Sequence, residues 1–180
     1  MYFLDQIDPD KIQFLAQELQ EYSPQQAILV NISKSGATAE TIINDKLLKE
    51  ALSKGGKSKN FPEFIIRGEN SVKNTLIAKT EKEHILTLPE AVGGRFSAFS
   101  AVGLLPLDLV GIDTQSWRQG GQDATADFLS HPENLTQKAL SIFEQYQHGK
   151  IVYNLFVFSQ DLISLAEWEK QLIGESLGKN

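Results

Sequence analysis

The sequence predicts an α/β fold, a three-layer sandwich in which a parallel β-sheet lies between helices, and three observations carry that reading. Short apolar runs alternate along the chain with amphipathic helical patterns. The runs are continuous rather than alternating with polar residues. The first of them ends abruptly in a small polar turn, Ser33-Lys34-Ser35-Gly36, ahead of a helix. Strands that are apolar on both faces and alternate with helices belong to a parallel sheet covered on both sides, with right-handed crossovers.

Taken in order, Asp8-Pro9 starts a helix whose stripe of Ile12, Leu15, Ala16 and Leu19 runs to about Glu21, where Ser23-Pro24 breaks it. Residues 27–32 are the first strand, a run of the kind buried on both faces. A helix follows from about Thr38. Ala39, Ile43, Leu47 and Ala51 recur at steps of four, Ile42 and Leu48 widen the stripe, and Lys54-Gly55-Gly56 marks its end. Residues 63–66 form a second short strand, 70–79 a helix and 84–88 a third strand. After Pro89, Gly93-Gly94-Arg95 lead into a helix over 98–110, and two more helices cover 113–129 and 131–147. Residues 151–158, Ile-Val-Tyr-Asn-Leu-Phe-Val-Phe, read as the strongest strand of the chain. A last amphipathic helix carries Leu162, Leu165, Trp168 and Leu172 and ends near Gly178. Phe96, Phe99, Phe156, Phe158 and Trp168 fall on these elements and are expected in the core. No repeat or long linker divides the chain, so residues 1–180 are read as one domain. The last helix runs almost to Asn180, which suggests a polypeptide that continues in its natural context.

Composition narrows the function. The chain has 180 residues, of which 41% are hydrophobic and 22% charged, enough apolar material for a core, which excludes disorder. Its formal net charge of −6, from 17 Lys and Arg against 23 Asp and Glu, argues against a nucleic-acid partner. There are no cysteines, which removes disulfides, thiolate metal sites and thiol nucleophiles and fits a reducing compartment. The three histidines, His84, His131 and His148, show no metal-ligand spacing, and no metal is expected. The N-terminus has no signal-peptide pattern, and no apolar run approaches the ~20 residues of a membrane span. The expectation is a soluble, cytoplasmic protein that binds neither nucleic acid nor membrane.

Three segments could carry chemistry. The first is Ser33-Lys34-Ser35-Gly36-Ala37-Thr38, followed by Glu40-Thr41 on a helix. Amides at a helix N-terminus, a glycine and three hydroxyls make an anion cradle, and the carboxyl ends of parallel strands are where such folds bind ligands. A hydroxyl-capped turn with no ligand is the alternative. No nucleotide-binding G-x-x-x-x-G-K-[ST] pattern occurs. The second is Gly93-Gly94-Arg95-Phe96-Ser97, where paired glycines allow a tight turn that presents a guanidinium to a phosphate or a developing oxyanion. A surface arginine ahead of a helix is the alternative. The third is Glu175, one turn after Gln171 on the last helix, a general base if partly desolvated and otherwise a solvated helix face.

Together the three segments resemble a known family. Residues 32–41, Ile-Ser-Lys-Ser-Gly-Ala-Thr-Ala-Glu-Thr, resemble the sugar-phosphate loop of glucose-6-phosphate isomerase (phosphoglucose isomerase). Residues 93–104 and 171–179 resemble that family's first signature and its catalytic-glutamate segment, in the family's order. The resemblance implies a sugar isomerase (SIS) domain with a flavodoxin-like or Rossmann-like sheet of about five strands, where the residue pattern shows four. It implies that Ser33, Ser35, Thr38 and the backbone around Lys34 bind the substrate phosphate, with Thr41 and Gly94 beside the substrate and Gln171 contacting the sugar. Glu175 would be the base and Arg95 the cation that stabilises a cis-enediol(ate). The implied activity is reversible isomerisation of glucose 6-phosphate and fructose 6-phosphate, without cofactor, in a homodimeric full-length enzyme. The family's upstream G-x-G-G-S segment and its downstream ring-opening histidine and lysine are absent, and Ala37 replaces a frequent hydroxyl residue. The chain therefore reads as a central piece of such an enzyme, with little or no turnover alone. A non-catalytic sugar-phosphate-binding module is the other reading, needing the cradle alone.

Overall fold

A computed structural model describes residues 1–54, 60–71 and 84–178. The sequence reading takes the chain as one domain; it divides into two compact units, Met1–Ile112 and Asp113–Asn180, each described by itself.

The first unit contains helix α1 (Pro9–Gln20), strand β1 (Leu29–Ser33), helix α2 (Ala39–Lys54), strands β2 (Glu63–Gly68) and β3 (Ile85–Leu88), and helix α3 (Ala101–Leu109). Asp8 caps α1, its carboxylate accepting from the amides of Asp10 and Lys11, and Pro9 occupies the first turn, where a missing N–H costs nothing. The three strands form a parallel sheet in the order β1-β2-β3. Ile65 and Ile66, successive residues of β2, are each 1% exposed. Neighbouring strand residues point to opposite faces, so the central strand is covered on both, as its continuous apolar pattern predicts. Strand β1 differs from expectation: Leu29 to Ile32 are only half-buried, because β1 is an edge strand among the described residues. A core of Ile12, Leu15, Ala16, Leu48, Leu52 and Phe61 joins α1 to α2.

Beside β1, a polar network fastens α2 to the sheet. The Asn31 amide donates to Asp45 at 3.0 Å and also to Glu63, and the Lys49 ammonium reaches Asp45 at 2.8 Å and Glu63 at 3.0 Å. The side chains of Asp45 and Glu63 are only 10% and 15% exposed, so their charges depend on these partners. The helix expected over 70–79 falls mostly on residues 72–83, which lie outside the described residues, as does the Gly55-Gly56 helix end.

The second unit holds α4 (Thr114–Ser130), α5 (Pro132–Gln147) and α6 (Ile163–Leu177). The Asp113 carboxylate accepts from the Gln115 and Ser116 amides to start α4, and Pro132 opens α5. The strand expected over residues 151–158 does not form. Its β-branched and aromatic composition signals readiness to pair, but a strand exists only with a partner, and no described residue ladders with it. Instead Tyr153 donates to Glu169 of α6 at 3.0 Å. Phe156 and Phe158 are 79% and 96% exposed, and Phe96 and Phe99 are also exposed, so these four are not core; Trp168 is half-buried. The strands observed thus number three among the described residues, against the four read from the residues and the five implied by resemblance.

Candidate functional site

The loop from β1 to α2 closes on itself through its own hydroxyls. Ser33, buried at the end of β1, shares a hydrogen bond of 2.7 Å with the Thr38 hydroxyl, and the Thr38 amide donates back to the Ser33 hydroxyl at 3.4 Å. The Ala37 amide donates to the Ser35 hydroxyl at 3.1 Å. Gly36 sits between them at φ 66°, a left-handed conformation that a side chain resists. The carbonyl of Thr38 accepts the first helical bond, from Ile42 at 3.1 Å. The amides of Ala39, Glu40 and Thr41 therefore open α2 with no earlier carbonyl to serve, which leaves positive partial charge beside the hydroxyls. Thr41 turns the other way, donating to the Ile32 carbonyl at 3.4 Å and tying α2 to β1.

In register, Ser33 pairs with Arg67 and Arg67 with Thr87, so the loops after all three strands leave the same edge of the sheet. They enclose a cavity of about 440 Å³ lined by Lys34, Ser35, Thr38, Asn70, Ser71 and Glu90. Asn70, Ser71 and Glu90 escape a motif reading. The signal that points to them is topological: each directly follows a parallel strand, at the end where such sheets bind ligands. The Arg67 guanidinium donates to the Ser71 carbonyl at 3.1 Å and holds that wall of the cavity. Gly68 donates its amide to the Lys34 carbonyl at 2.9 Å, and a Cβ on Gly68 would lie 2.7 Å from that oxygen, so only glycine allows this approach.

The Gly93-Gly94-Arg95 segment starts a 3₁₀ turn, Gly94–Phe99, capped by nothing but backbone. Neither glycine has a positive φ, so the tight turn expected of the pair does not depend on them. What Gly94 contributes is room: nothing lies within 4 Å of where its Cβ would be. The Arg95 guanidinium lies over the Phe96 ring, 4.9 Å from its centroid, a cation–π contact that helps set its direction. On α6 of the second unit, Gln171 donates to the Glu175 carboxylate at 2.8 Å, one turn apart on a helix. Glu175 is half-buried, and both residues line a surface cavity with Trp168 and Gly174. The structure thus gathers Ser33, Lys34, Ser35 and Thr38 in one cradle and Gln171 with Glu175 in another place on the chain.

Among the described residues, no group of three or more His, Asp or Glu could hold a metal, and no helix is long and apolar enough to cross a membrane. His148 donates from Nδ1 to the Glu144 carbonyl, 2.7 Å away, and His84 packs on Phe64, both ordinary structural roles.

The sequence pattern of the phosphoglucose isomerase family matches residues 1–180. Glucose-6-phosphate isomerase of Methanocaldococcus jannaschii is 34% identical over 99% of this chain and 44% of its own length. That of Thermus thermophilus is 32% identical over 99% of this chain and 42% of its own length. The crystal structure of a hypothetical protein from Thermus thermophilus superposes with a TM-score of 0.81 at 31% identity, over 99% of this chain and 42% of that one. The chain thus spans less than half the length of these relatives.

Proposed function

The chain belongs to the phosphoglucose isomerase family, and we propose that it contributes the phosphate cradle and two catalytic side chains of an enzyme interconverting glucose 6-phosphate and fructose 6-phosphate. The observation that carries the proposal is the cradle, in which the Ser33 and Thr38 hydroxyls are hydrogen-bonded ahead of α2 and Lys34, Ser35 and Thr38 line one cavity. A phosphate dianion there would accept from Ser35, Thr38 and the amides beside Lys34, with Ser33 holding Thr38 in place.

The chemistry proceeds on the open-chain sugar, whose phosphate lies remote from the reacting carbons. Binding energy from that phosphate then serves to orient C1 and C2. Glu175 as carboxylate removes the C2 proton of the aldose, and the electron pair of that C–H bond moves toward C1 and its carbonyl oxygen. Arg95 stabilises the charge that develops there, as a fixed cation does for an oxyanion. Glu175 returns the proton to C1, and transfer of a proton between O2 and O1 completes the ketose, so atoms and electrons balance with no redox partner. Gln171, donating to Glu175, orients the base and contacts the sugar. By the same family likeness, the proposal includes a homodimeric, cytoplasmic full-length enzyme acting on sugar phosphates without cofactor.

Calorimetric titration tests the phosphate reading. Fructose 6-phosphate should bind this chain and fructose should not, and Thr38→Val should weaken binding by roughly tenfold, the value of one charge-assisted hydrogen bond. Equal binding of the sugar with and without its phosphate would refute it.

A further inference from the structure

Lys34 is gripped from two directions. Its carbonyl accepts from the Gly68 amide at 2.9 Å, which fixes its backbone against β2. Its ammonium donates to the Glu90 carbonyl at 2.8 Å and lies 3.9 Å from the Glu90 carboxylate. Glu90 belongs to the loop after β3, and that loop runs by local turns straight to Arg95. Val92 donates to the Pro89 carbonyl at 3.0 Å and Phe96 to the Gly93 carbonyl at 3.0 Å, while the Ser97 hydroxyl donates to the Gly94 carbonyl at 2.6 Å. Glu90 and Arg95 are thus five residues apart on one loop whose turns these bonds hold, so a displacement at Glu90 acts on the segment that carries Arg95. Glu90 also lines the cradle cavity, so a carboxylate stands on the wall of a site argued to take an anion.

We propose that Glu90 is a positioning residue: through the Lys34 ammonium it links occupancy of the phosphate cradle to the turn that presents Arg95. The inference rests on the phosphate reading above and adds to it how one end of the site senses the other. Without ligand, the ammonium is engaged by Glu90. A phosphate dianion in the cavity offers that ammonium a stronger, charge-assisted acceptor and repels the Glu90 carboxylate. Lys34 then turns toward the phosphate and the 89–95 loop resets, because the ligand interacts differently with the two arrangements.

Amide NMR of the 180-residue chain with inorganic phosphate tests this. In the wild type, amides of residues 35–41 and of 89–95 should titrate together with one dissociation constant. Lys34→Met should abolish the response of 89–95, and Lys34→Arg, whose guanidinium still reaches Glu90, should restore it. Glu90→Gln, which keeps the backbone carbonyl that holds the Lys34 ammonium but removes the competing carboxylate charge, should tighten phosphate binding roughly two- to fivefold, the range of a partly exposed ion pair. A cradle that titrates while 89–95 stays silent in the wild type, or unchanged or weaker affinity in Glu90→Gln, overturns the link and leaves the phosphate reading standing. A response of 89–95 that survives in Lys34→Met overturns it equally. No response at residues 35–41 in the wild type overturns the phosphate reading and the link with it.

Discussion

The hydroxyls of Ser33 and Thr38 share a hydrogen bond of 2.7 Å across the loop between β1 and α2. The end of a strand and the residue ahead of a helix are thereby held at a fixed separation by the loop's own side chains. Ser33 is only 6% exposed, so its hydroxyl serves the loop and not the solvent.

Ser33→Ala removes that tie with no change in backbone demands. We expect a loss of about 1 kcal/mol, the net value of a typical buried hydrogen bond, and a fall in Tm of about 2–4 °C for a chain of this size. Phosphate affinity should fall with it, since Thr38 loses its orientation. Thermal unfolding alongside calorimetry reads both, and an unchanged Tm would show that the bond carries no net stability.

Two glycines at the same end of the sheet should behave oppositely. Gly68→Ala places a methyl 2.7 Å from the Lys34 carbonyl, and separating β2 from the cradle loop should cost about 1–3 kcal/mol. Gly94→Ala meets nothing within 4 Å and should leave stability unchanged. Urea denaturation of both variants decides the matter, and equal destabilisation would contradict the geometry.

The network beside β1 makes an alkaline prediction. Burial alone would lower the Lys49 pKa, but hydrogen bonds to Asp45 and Glu63 and the charges of both outweigh it, so the ammonium sits above its ordinary value of 10.5. A folded pKa above the unfolded one contributes stability that is complete below pH 10.5 and disappears as pH rises through the folded value. Lys49→Met should therefore lower stability at neutral pH, leaving two nearly buried carboxylates without their cation, and should flatten the decline above pH 10.5. Lys46→Met, which breaks only an exposed 3.9 Å pair with Glu50, is the control and should do neither. Identical stability–pH curves for wild type and Lys49→Met would contradict the assignment.

The parts of this molecule legible in the sequence are those set by neighbours in the chain. Helix α1 begins where Asp8-Pro9 indicates, and α2 begins one residue after the Thr38 start that the sequence suggests, because caps and glycine turns act locally. The hydroxyls at 33, 35 and 38 are visible for the same reason. Glu90, Asn70 and Ser71 are not, because they meet Lys34 and Thr38 only through the parallel register that aligns Ser33, Arg67 and Thr87. The segment at 151–158 shows the converse: its side chains suit a strand, yet pairing depends on a partner that local pattern cannot reveal. Phe96 shows it again, its ring exposed and spent on orienting Arg95 rather than on filling a core.

Binding of a sugar phosphate's phosphate by the β1–α2 loop is the step on which the proposed reaction depends. Its most direct test is an amide NMR titration of this chain with fructose 6-phosphate, with fructose as control. Saturating shifts centred on residues 33–41 should appear with the phosphate ester and not with the free sugar. Shifts that fall elsewhere while 33–41 stay silent, or that are the same for both sugars, would contradict it.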